Sequence, residues 1–247
     1  MALKPKFSII TVTYNAAGVV GPTLQSVKAQ TYTNYEYLLI DGGSKDDTVG
    51  IAKASGISFA QIVSERDNGI YDAMNKGIAL ATGDYLCFLN AGDTFHSPDT
   101  LQVIVDAIAG EKELPHVLYG ETAEVDEARE FVRMRRHKAP KELNWRSFRW
   151  GMMVCHQAFY ARRDIAPVYD LRYRLSGDVD WCIKVMKRAT KLVNVNATVV
   201  DYLQNGLSLQ HHRASLKERF WIMSNHYGFL STVVRHLWFV VRAAIRK

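Results

Sequence analysis

Strand-like and helix-like segments alternate through the first 120 residues of this 247-residue chain. Between the strand-like runs, the clearest helical pattern is Ile70 to Ala81, where apolar residues recur three and four positions apart. Such alternation is typical of an α/β fold with an open, Rossmann-like, mostly parallel sheet and helices on both faces. The apolar and β-branched runs that predict the buried strands cover residues 7–15, 35–41, 59–65, 85–90 and 116–121.

The pattern is looser after Tyr119. Residues 152–162 and 192–203 are predicted to be strands, and residues 176–191 are predicted to form a helix. Two further helical runs follow near the C-terminus. We therefore expect one main domain over residues 1–210, with halves at 1–120 and 121–210, and a C-terminal extension of amphipathic helices over residues 211–247.

Polar side chains stand where the predicted parallel strands end. Ligands of open α/β sheets bind outside the carboxyl ends of the strands, which meet at one edge. Four strand ends with polar or acidic groups therefore predict a single ligand site at that edge. The side chains concerned are Asn15, Asp41, Glu65 with Asp67, and Asn90 with Asp93.

The bulk properties exclude some classes of protein. Cys87, Cys155 and Cys182 are widely spaced, which indicates neither a disulfide framework nor a zinc site. The N-terminal segment lacks the apolar run of a secretory signal, so we expect a cytoplasmic location. The net charge is +6, with a strongly basic stretch over residues 129–149. That stretch is either a phosphate-binding surface or a solvated charged face, and no nucleic-acid-binding module is present.

The first half, read in order, contains FSIITVTYNA, QTYTNYEYLLIDGGSKDDT and SERDNGIYDAMNKGIALATGDYLCFLNAGD. This ordered set closely resembles the family 2 inverting glycosyltransferases, which have the GT-A fold. The likeness extends more weakly to about Ser208, through CHQAFYAR and SGDVDW. It implies a nucleotide-diphospho-sugar donor, most simply UDP-linked, and a glycan or lipid-linked acceptor. It also divides the domain into a nucleotide-binding half and an acceptor half.

The resemblance implies roles for residues in the donor site. Asp41 would bind the nucleotide base, and Asn15 and Asp67 would line the same pocket. The metal-binding DxD motif of the family falls on Asn90-Ala91-Gly92, so both of its acidic positions are replaced here. Asp93 is the carboxylate that remains to hold a divalent cation, Mn²⁺ or Mg²⁺.

Elementary chemistry supports a cation at that position. Charge builds on the bridging oxygen as the donor bond breaks, and a divalent metal stabilises it as a Lewis acid. Mg²⁺-like ions often take only one or two carboxylates, so a single aspartate can suffice. Gly92 would let phosphates approach closely. The alternative is an ordinary turn, since Asn, Gly and Asp are common turn formers.

The resemblance also implies a catalytic base at the start of a helix, often in an ED pair. In SGDVDW the glutamate position is Gly177 and the base would be Asp178. Such a base accepts the proton of the attacking acceptor hydroxyl. Asp180 is the neighbouring acid at a different helical phase. Alternatively, both acids only favour the positive end of the helix dipole.

Three further side chains are weaker candidates. Lys76 could contact phosphate, or it could lie on an exposed helical face. His156 could touch a sugar, although a structural histidine in a strand is an equal alternative. His212 could reach the metal or the diphosphate from a late loop, in which adjacent histidines otherwise mark a solvated segment.

The C-terminal run YGFLSTVVRHLWFVVRAAIRK is apolar but interrupted by basic residues. It predicts a basic amphipathic helix at a membrane interface, with Trp238 near the headgroups, and the protein would then be peripheral on the inner face of the cell membrane. The alternative is a core or dimer helix. For the whole chain, a non-catalytic nucleotide-binding module is the alternative to an enzyme, and a nucleic-acid binder ranks last.

Overall fold

The computed structural model describes residues 3–204 and 212–245, with side chains for 3–204 and 213–239. Its first half alternates strands and helices as predicted from the sequence. Strands β1 and β4 each end two residues before their predicted ends, because the last residues of these runs turn away into loops. The elements of this half are β1 (Phe7–Thr13), α1 (Val20–Lys28), β2 (Tyr35–Asp41), α2 (Thr48–Ala54), β3 (Gln61–Ser64), α3 (Ile70–Leu80), β4 (Tyr85–Phe88), β5 (Thr94–Phe95) and α4 (Thr100–Asp106).

The second half continues the same sheet and adds the C-terminal helices. Its elements are β6 (Val117–Val125), β7 (Phe131–Met134), β8 (Phe159–Arg162), α5 (Gly177–Arg188), β9 (Leu192–Leu203), α6 (His212–Tyr227) and α7 (Phe229–Ile245). Short 3-10 helices occur at Trp145–Trp150, His156–Ala158 and Arg163–Ile165. The strand predicted over residues 152–162 is therefore confirmed only for its last four residues.

The described strands form one sheet with the order β3-β2-β1-β4-β8-β6-β9-β5, and β7 pairs with β6. Strands β1 to β4 are parallel to one another, as the alternation predicts. Strand β8 enters between β4 and β6 and is antiparallel to both, so the sheet is mixed beyond β4. Strand β6 runs parallel to β9.

Strand β1 is fully buried and central to the parallel part of the sheet. It pairs with β2 in a register that sets Thr13 opposite Asp41, and with β4 so that Ile10 lies opposite Phe88. After β4 the chain stays beside β1, since the Ala91 N–H points to the Val12 carbonyl at 3.5 Å. The carboxyl ends of β1, β2 and β4 thus share one edge of the sheet.

Glu36 ties the opposite end of the same strands together. Its carboxylate accepts hydrogen bonds from Ser8 Oγ at 2.6 Å, Lys6 Nζ at 2.8 Å and Thr82 Oγ1 at 2.6 Å. Burial opposes the ionised form, but these donors outweigh it and lower the pKa of Glu36 to about 2. The start of the sheet is therefore anchored away from the ligand edge.

Helix α6 lies against the main body and does not project from it. Glu218 of α6 accepts from the loop before α5, and Tyr227 donates to the Trp145 carbonyl at 2.5 Å. The division into 1–210 and 211–247 stays a prediction about domain boundaries. None of the described helices is both long enough and apolar enough to cross a membrane.

Candidate functional site

Asp41 anchors the loop that follows β2. It is 1% exposed, and its carboxylate accepts from Thr13 Oγ1 at 3.0 Å, Ser64 Oγ at 2.7 Å and the Ser44 N–H at 2.9 Å. The Ser44 hydroxyl and the Gly43 N–H also donate to it. Burial would raise the pKa of Asp41, but the hydrogen bonds from Ser44, Ser64 and Thr13 lower it overall. The carboxylate thus stays ionised and shapes the loop, while its predicted contact with a nucleotide base stays a prediction.

Asn15 and Asp67 lie against the same loop. The side-chain oxygen of Asn15 accepts from the Lys45 N–H at 2.9 Å, and the Asn15 N–H donates to Ser44 Oγ at 2.8 Å. A Cβ on Gly42 would lie 2.4 Å from Asp67 Oδ2, so the Asp67 carboxylate sits directly over this glycine. The structure therefore brings together the three residues predicted to line a nucleotide pocket.

Asp93 lies in the turn after β4, at the same edge of the sheet, because the Ala91 N–H of that turn points to the Val12 carbonyl near the end of β1, the strand that pairs with β2. It is 4% exposed, and its two oxygens accept from Gln157 Nε2 at 2.7 Å and the Leu203 N–H at 3.0 Å. Burial raises the pKa of Asp93 to about 7, although both hydrogen bonds act in the opposite direction. Its charge near neutral pH is thus sensitive to any cation that approaches.

The other residues of this turn are also constrained. Gly92 has a φ of +101°, and a Cβ there would lie 3.1 Å from Leu203 Cδ2. The backbone conformation and the packing against β9 both favour glycine at this position. These contacts explain Gly92 without the close approach of phosphate that was predicted from the sequence. The side-chain oxygen of Asn90 is buried without a hydrogen-bond partner. An orphaned acceptor of this kind is a position that a donor or a cation can satisfy.

These residues offer a partial set of metal ligands. Asp93 and Asn90 supply the hard oxygen donors that Mg²⁺ and Mn²⁺ prefer. Within the described residues, no three acidic, histidine or cysteine side chains gather closely enough to hold a metal. The donor set therefore fits a cation that arrives with a diphosphate, and it does not fit one held by protein side chains alone.

Asp178 lies on the first turn of α5 and meets the nucleotide-binding half through α3. Tyr71 of α3 donates its hydroxyl to Asp178 Oδ1 at 3.2 Å. The Tyr71 ring covers Gly177, where a Cβ would lie 2.9 Å from the ring. Gly177 therefore stands where the resemblance places a glutamate because the tyrosine fills that space. The N-terminus of α3, next to Asp67, joins the predicted nucleotide pocket to the predicted base.

Asp180 points the other way, as its different helical phase predicts. It is 3% exposed, forms an ion pair with Lys184 at 2.6 Å and is hydrogen-bonded to His226 Nε2 at 2.7 Å. Burial opposes ionisation, but His226 and Lys184 outweigh it and lower the pKa of Asp180. The Asp180 carboxylate therefore fastens α5 to α6 and is turned away from Asp178.

The loop before α5 is held by one carboxylate of α6. Glu218 accepts from the backbone N–H groups of Arg174 at 2.9 Å, Leu175 at 2.8 Å and Ser176 at 2.9 Å. Ser176 is the residue before the helix, two positions from Asp178. Glu218 thus sets the start of α5 and, with it, the position of Asp178.

The described weaker candidates, His156 and Lys76, are engaged with protein partners. His156 is 3% exposed, stacks on Phe88 with ring centroids 4.9 Å apart, and bonds Tyr169 Oη at 2.5 Å. Burial lowers its pKa to about 4, so the ring is neutral and internal, which favours the structural alternative. Lys76 pairs with Glu65 at 2.8 Å. The side chain of His212 lies outside the described residues.

Sequence reasoning missed four residues that shape this site, namely Tyr71, Gln157, Glu218 and Arg129. Arg129 donates to the Gly92 carbonyl at 2.5 Å, beside Asp93. Gln157 adjoins His156 in CHQAFYAR, but nothing in one sequence showed which of the two faces the aspartate. The replacement of glutamate by Gly177 was a usable signal, because a missing side chain implies that something else fills the space.

Comparison with known proteins gives consistent matches. The model for glycosyl transferase family 2 matches residues 8–167. A PGL/p-HBAD biosynthesis glycosyltransferase of Mycobacterium bovis is 37% identical over 221 residues, covering 82% of this chain and 78% of the relative. Amylovoran biosynthesis glycosyltransferase AmsB of Erwinia amylovora is 27% identical over 233 residues, covering 87% and 76%. S. aureus TarS 1-349 in complex with UDP-GlcNAc superposes with a TM-score of 0.71 at 15% identity, covering 95% of this chain and 73% of that chain.

The likeness to TarS confirms the predicted GT-A-type fold with C-terminal helices. Together with the acidic edge of the sheet and the named relatives, it defines the protein as a glycosyltransferase. The family match covers well over half of the residues. The chain belongs to glycosyl transferase family 2.

Proposed function

We propose that this glycosyltransferase moves a sugar from a nucleotide-diphospho-sugar, most simply UDP-linked, to a hydroxyl group of a glycan or lipid-linked acceptor, with inversion. The observation that carries the proposal is the contact between Tyr71 and Asp178. It joins the start of α5 to the helix that begins beside Asp67, at the edge that also holds Asp41. A candidate base and a candidate nucleotide pocket therefore share one side of the sheet.

In this proposal Asp178 is the general base. It accepts the proton of the acceptor hydroxyl while the acceptor oxygen bonds to the anomeric carbon. The bond from that carbon to the diphosphate oxygen breaks, and the nucleoside diphosphate leaves with the electron pair. Tyr71 donates to Oδ1, which leaves Oδ2 as the oxygen available to the acceptor.

The donor side would use the loop after β2. Asn15 and Asp67 lie against this loop, with the Asp67 carboxylate directly over Gly42, and both side chains would line the nucleoside pocket. Asp93 and the unpaired oxygen of Asn90 would hold a divalent cation once a diphosphate supplies further oxygens. Such a cation would neutralise charge on the leaving group.

The acceptor proposal rests on the relatives. One is named for PGL/p-HBAD biosynthesis and another for amylovoran biosynthesis, and TarS was crystallised with UDP-GlcNAc. A polysaccharide or glycolipid acceptor is consistent with these names. We place the protein on the inner face of the cell membrane, held peripherally through the C-terminal helix. A non-catalytic module is not supported, because the family and its named relatives are transferases.

Two linked measurements test the donor and the base. Nucleoside diphosphates and UDP-sugars, each with and without Mn²⁺, are screened by thermal shift, since a bound ligand raises the melting temperature by mass action. Hydrolysis of the best donor, and its transfer to an added acceptor, are then measured for Asp178→Asn. We expect unchanged donor binding and a fall in turnover of about 100-fold or more.

Asp164→Asn is the matched control, because Asp164 is an exposed carboxylate whose ion pair is with the half-buried Arg162, and its loss should leave turnover unchanged. Full turnover in Asp178→Asn would remove the base from the proposal. Identical melting temperatures with every donor, with and without metal, would remove the donor class.

A further inference from the structure

A basic cavity lies between the 3-10 helix Trp145–Trp150 and helix α7. Its volume is about 510 Å³. Three arginines dominate it, two from the short helix and one from α7. The lining residues that matter here are Asn144, Arg146, Ser147, Arg149, Trp150 and Arg235.

These arginines have no anionic partner among the described residues, where every ion pair involves other side chains. The Nε atoms of Arg149 and Arg235 are buried without a hydrogen-bond acceptor. Aromatic rings hold the guanidinium groups in place, with Arg235 Cζ 4.3 Å from the Trp150 ring and Arg149 Cζ 5.3 Å from the Tyr227 ring. Ordered cations with unfilled donors indicate a site for an external anion.

An apolar groove adjoins the cavity and shares Trp150 and Arg235 with it. The remaining walls come from Leu230, Val234 and Trp238 of α7, which are 79%, 66% and 50% exposed. Residues 229–247 contain no aspartate or glutamate. Large side chains are seldom exposed in this number on one helix face unless the face meets a partner.

The basic cavity and the apolar groove together are called the seam below. We propose that this seam binds one anionic phospholipid of the bilayer, with its phosphate on the arginines and its acyl chain along the groove. The inference rests on the membrane location proposed above and names the residues that would produce it. A free phosphate would use the cavity but not the groove, and an apolar partner would use the groove but not the arginines. Only an amphiphile with an anionic head satisfies both surfaces.

The seam is separate from the predicted base. Lys187, near the end of α5, lies 4.9 Å from the Trp145 ring beside the seam. At about 1.5 Å per helical residue, it lies about 14 Å along α5 from Asp178.

Vesicle flotation at low salt tests the seam. The probes are phosphatidylcholine vesicles with and without phosphatidylglycerol, and binding is compared for the wild type, Arg146→Gln/Arg235→Gln and Leu230→Gln/Val234→Gln. At about 1 kcal/mol per arginine, the first pair should weaken binding to anionic vesicles roughly 30-fold. Leu230→Gln/Val234→Gln should weaken vesicle binding by a similar factor, and this loss should not depend on salt because it removes apolar contacts.

The charge-matched control is Arg133→Gln/Arg172→Gln, which removes two exposed arginines that have carboxylate partners. It should bind as the wild type does, within the few-fold change expected from net charge. Unfolding curves check that each variant is folded, and donor hydrolysis, expected to be equal in all of them, is measured separately. The chemistry and the lipid site can therefore fail independently.

Three results would overturn the proposal. Equal vesicle binding by the seam and control variants would show that the arginines are not the site. Competition by inorganic phosphate with no effect of Leu230→Gln/Val234→Gln would assign the cavity to a free anion. A dimer that dissociates only in Leu230→Gln/Val234→Gln would assign the groove to a second copy.

Discussion

Replacing Gly177 by alanine should lower both the stability and the turnover of the enzyme through a single contact, with the Tyr71 ring. The added Cβ would lie 2.9, 3.0 and 3.2 Å from three carbons of the Tyr71 ring, where ordinary contacts are 3.4–4 Å. The ring cannot retreat, because it is 6% exposed and stacks on Tyr169 with centroids 5.3 Å apart. Either Tyr71 or the start of α5 must therefore move by about 0.5 Å. Overpacking of this kind costs about 1–3 kcal/mol.

The same displacement alters the predicted base. Tyr71 and Asp178 are joined by a 3.2 Å hydrogen bond, so a shift of either one lengthens it or rotates the carboxylate. A misplacement of about 1 Å can cost on the order of 100-fold in rate, and half of that distance should cost about tenfold. We expect a lower kcat with little change in the KM for the donor, together with a lower urea midpoint.

Gly21→Ala is the matched control. Gly21 also lies in a helix, α1, but no atom stands within 4 Å of its hypothetical Cβ. That substitution should stabilise slightly, by about 0.5–1 kcal/mol, and leave kcat unchanged. In the Gly177→Ala background, Tyr71→Leu should restore stability but not the rate, since the phenol is lost. A Gly177→Ala enzyme with the wild-type urea midpoint and kcat would refute the reasoning.

Three other predictions concern buried carboxylates. Glu36 has a folded pKa of about 2, below its unfolded value of 4.5, so its ionised form stabilises the fold above pH 4.5, and about 3 kcal/mol of unfolding free energy is lost as the pH falls from 4.5 through 2. Glu36→Gln should flatten this loss of stability at acid pH, measured by urea unfolding. Asp93 has a raised folded pKa of about 7, so without metal the free energy of unfolding should fall by about 3 kcal/mol from pH 5 to pH 8 through this group. Asp93→Asn should remove that dependence on pH, and an unchanged dependence would contradict the burial of its carboxyl group. Glu218→Gln leaves one carbonyl oxygen for three N–H donors, so it should destabilise the fold by about 1–3 kcal/mol and lower kcat, with a smaller change in the KM for the donor. A kcat equal to that of the wild type would show that Glu218 does not position the base.

Local pattern was sufficient for most elements of the fold. Strands β2 and β9 occur at the predicted bounds, because their apolar runs are long and flanked by turn residues. Helices α3 and α5 follow their apolar spacing. The gathering of Asn15, Asp41 and Asp67 was also predictable, since parallel strands must end at a common edge. Their roles came from the family resemblance and stay predictions.

Tertiary contacts decided what local pattern could not express. The entry of β8 between β4 and β6 depends on its pairing with β4, which is more than 70 residues away in the chain. The orientation of Gln157 toward Asp93, and of His156 into the aromatic core, depends on a 3-10 turn that alternation does not reveal. The position of Asp178 depends on Tyr71, which is 107 residues away in the chain. The sequence determined which side chains stand at the ends of helices and strands, because hydrophobic periodicity and turn chemistry are local. Only packing determined which of these side chains touch, because those contacts join distant segments through shape and burial.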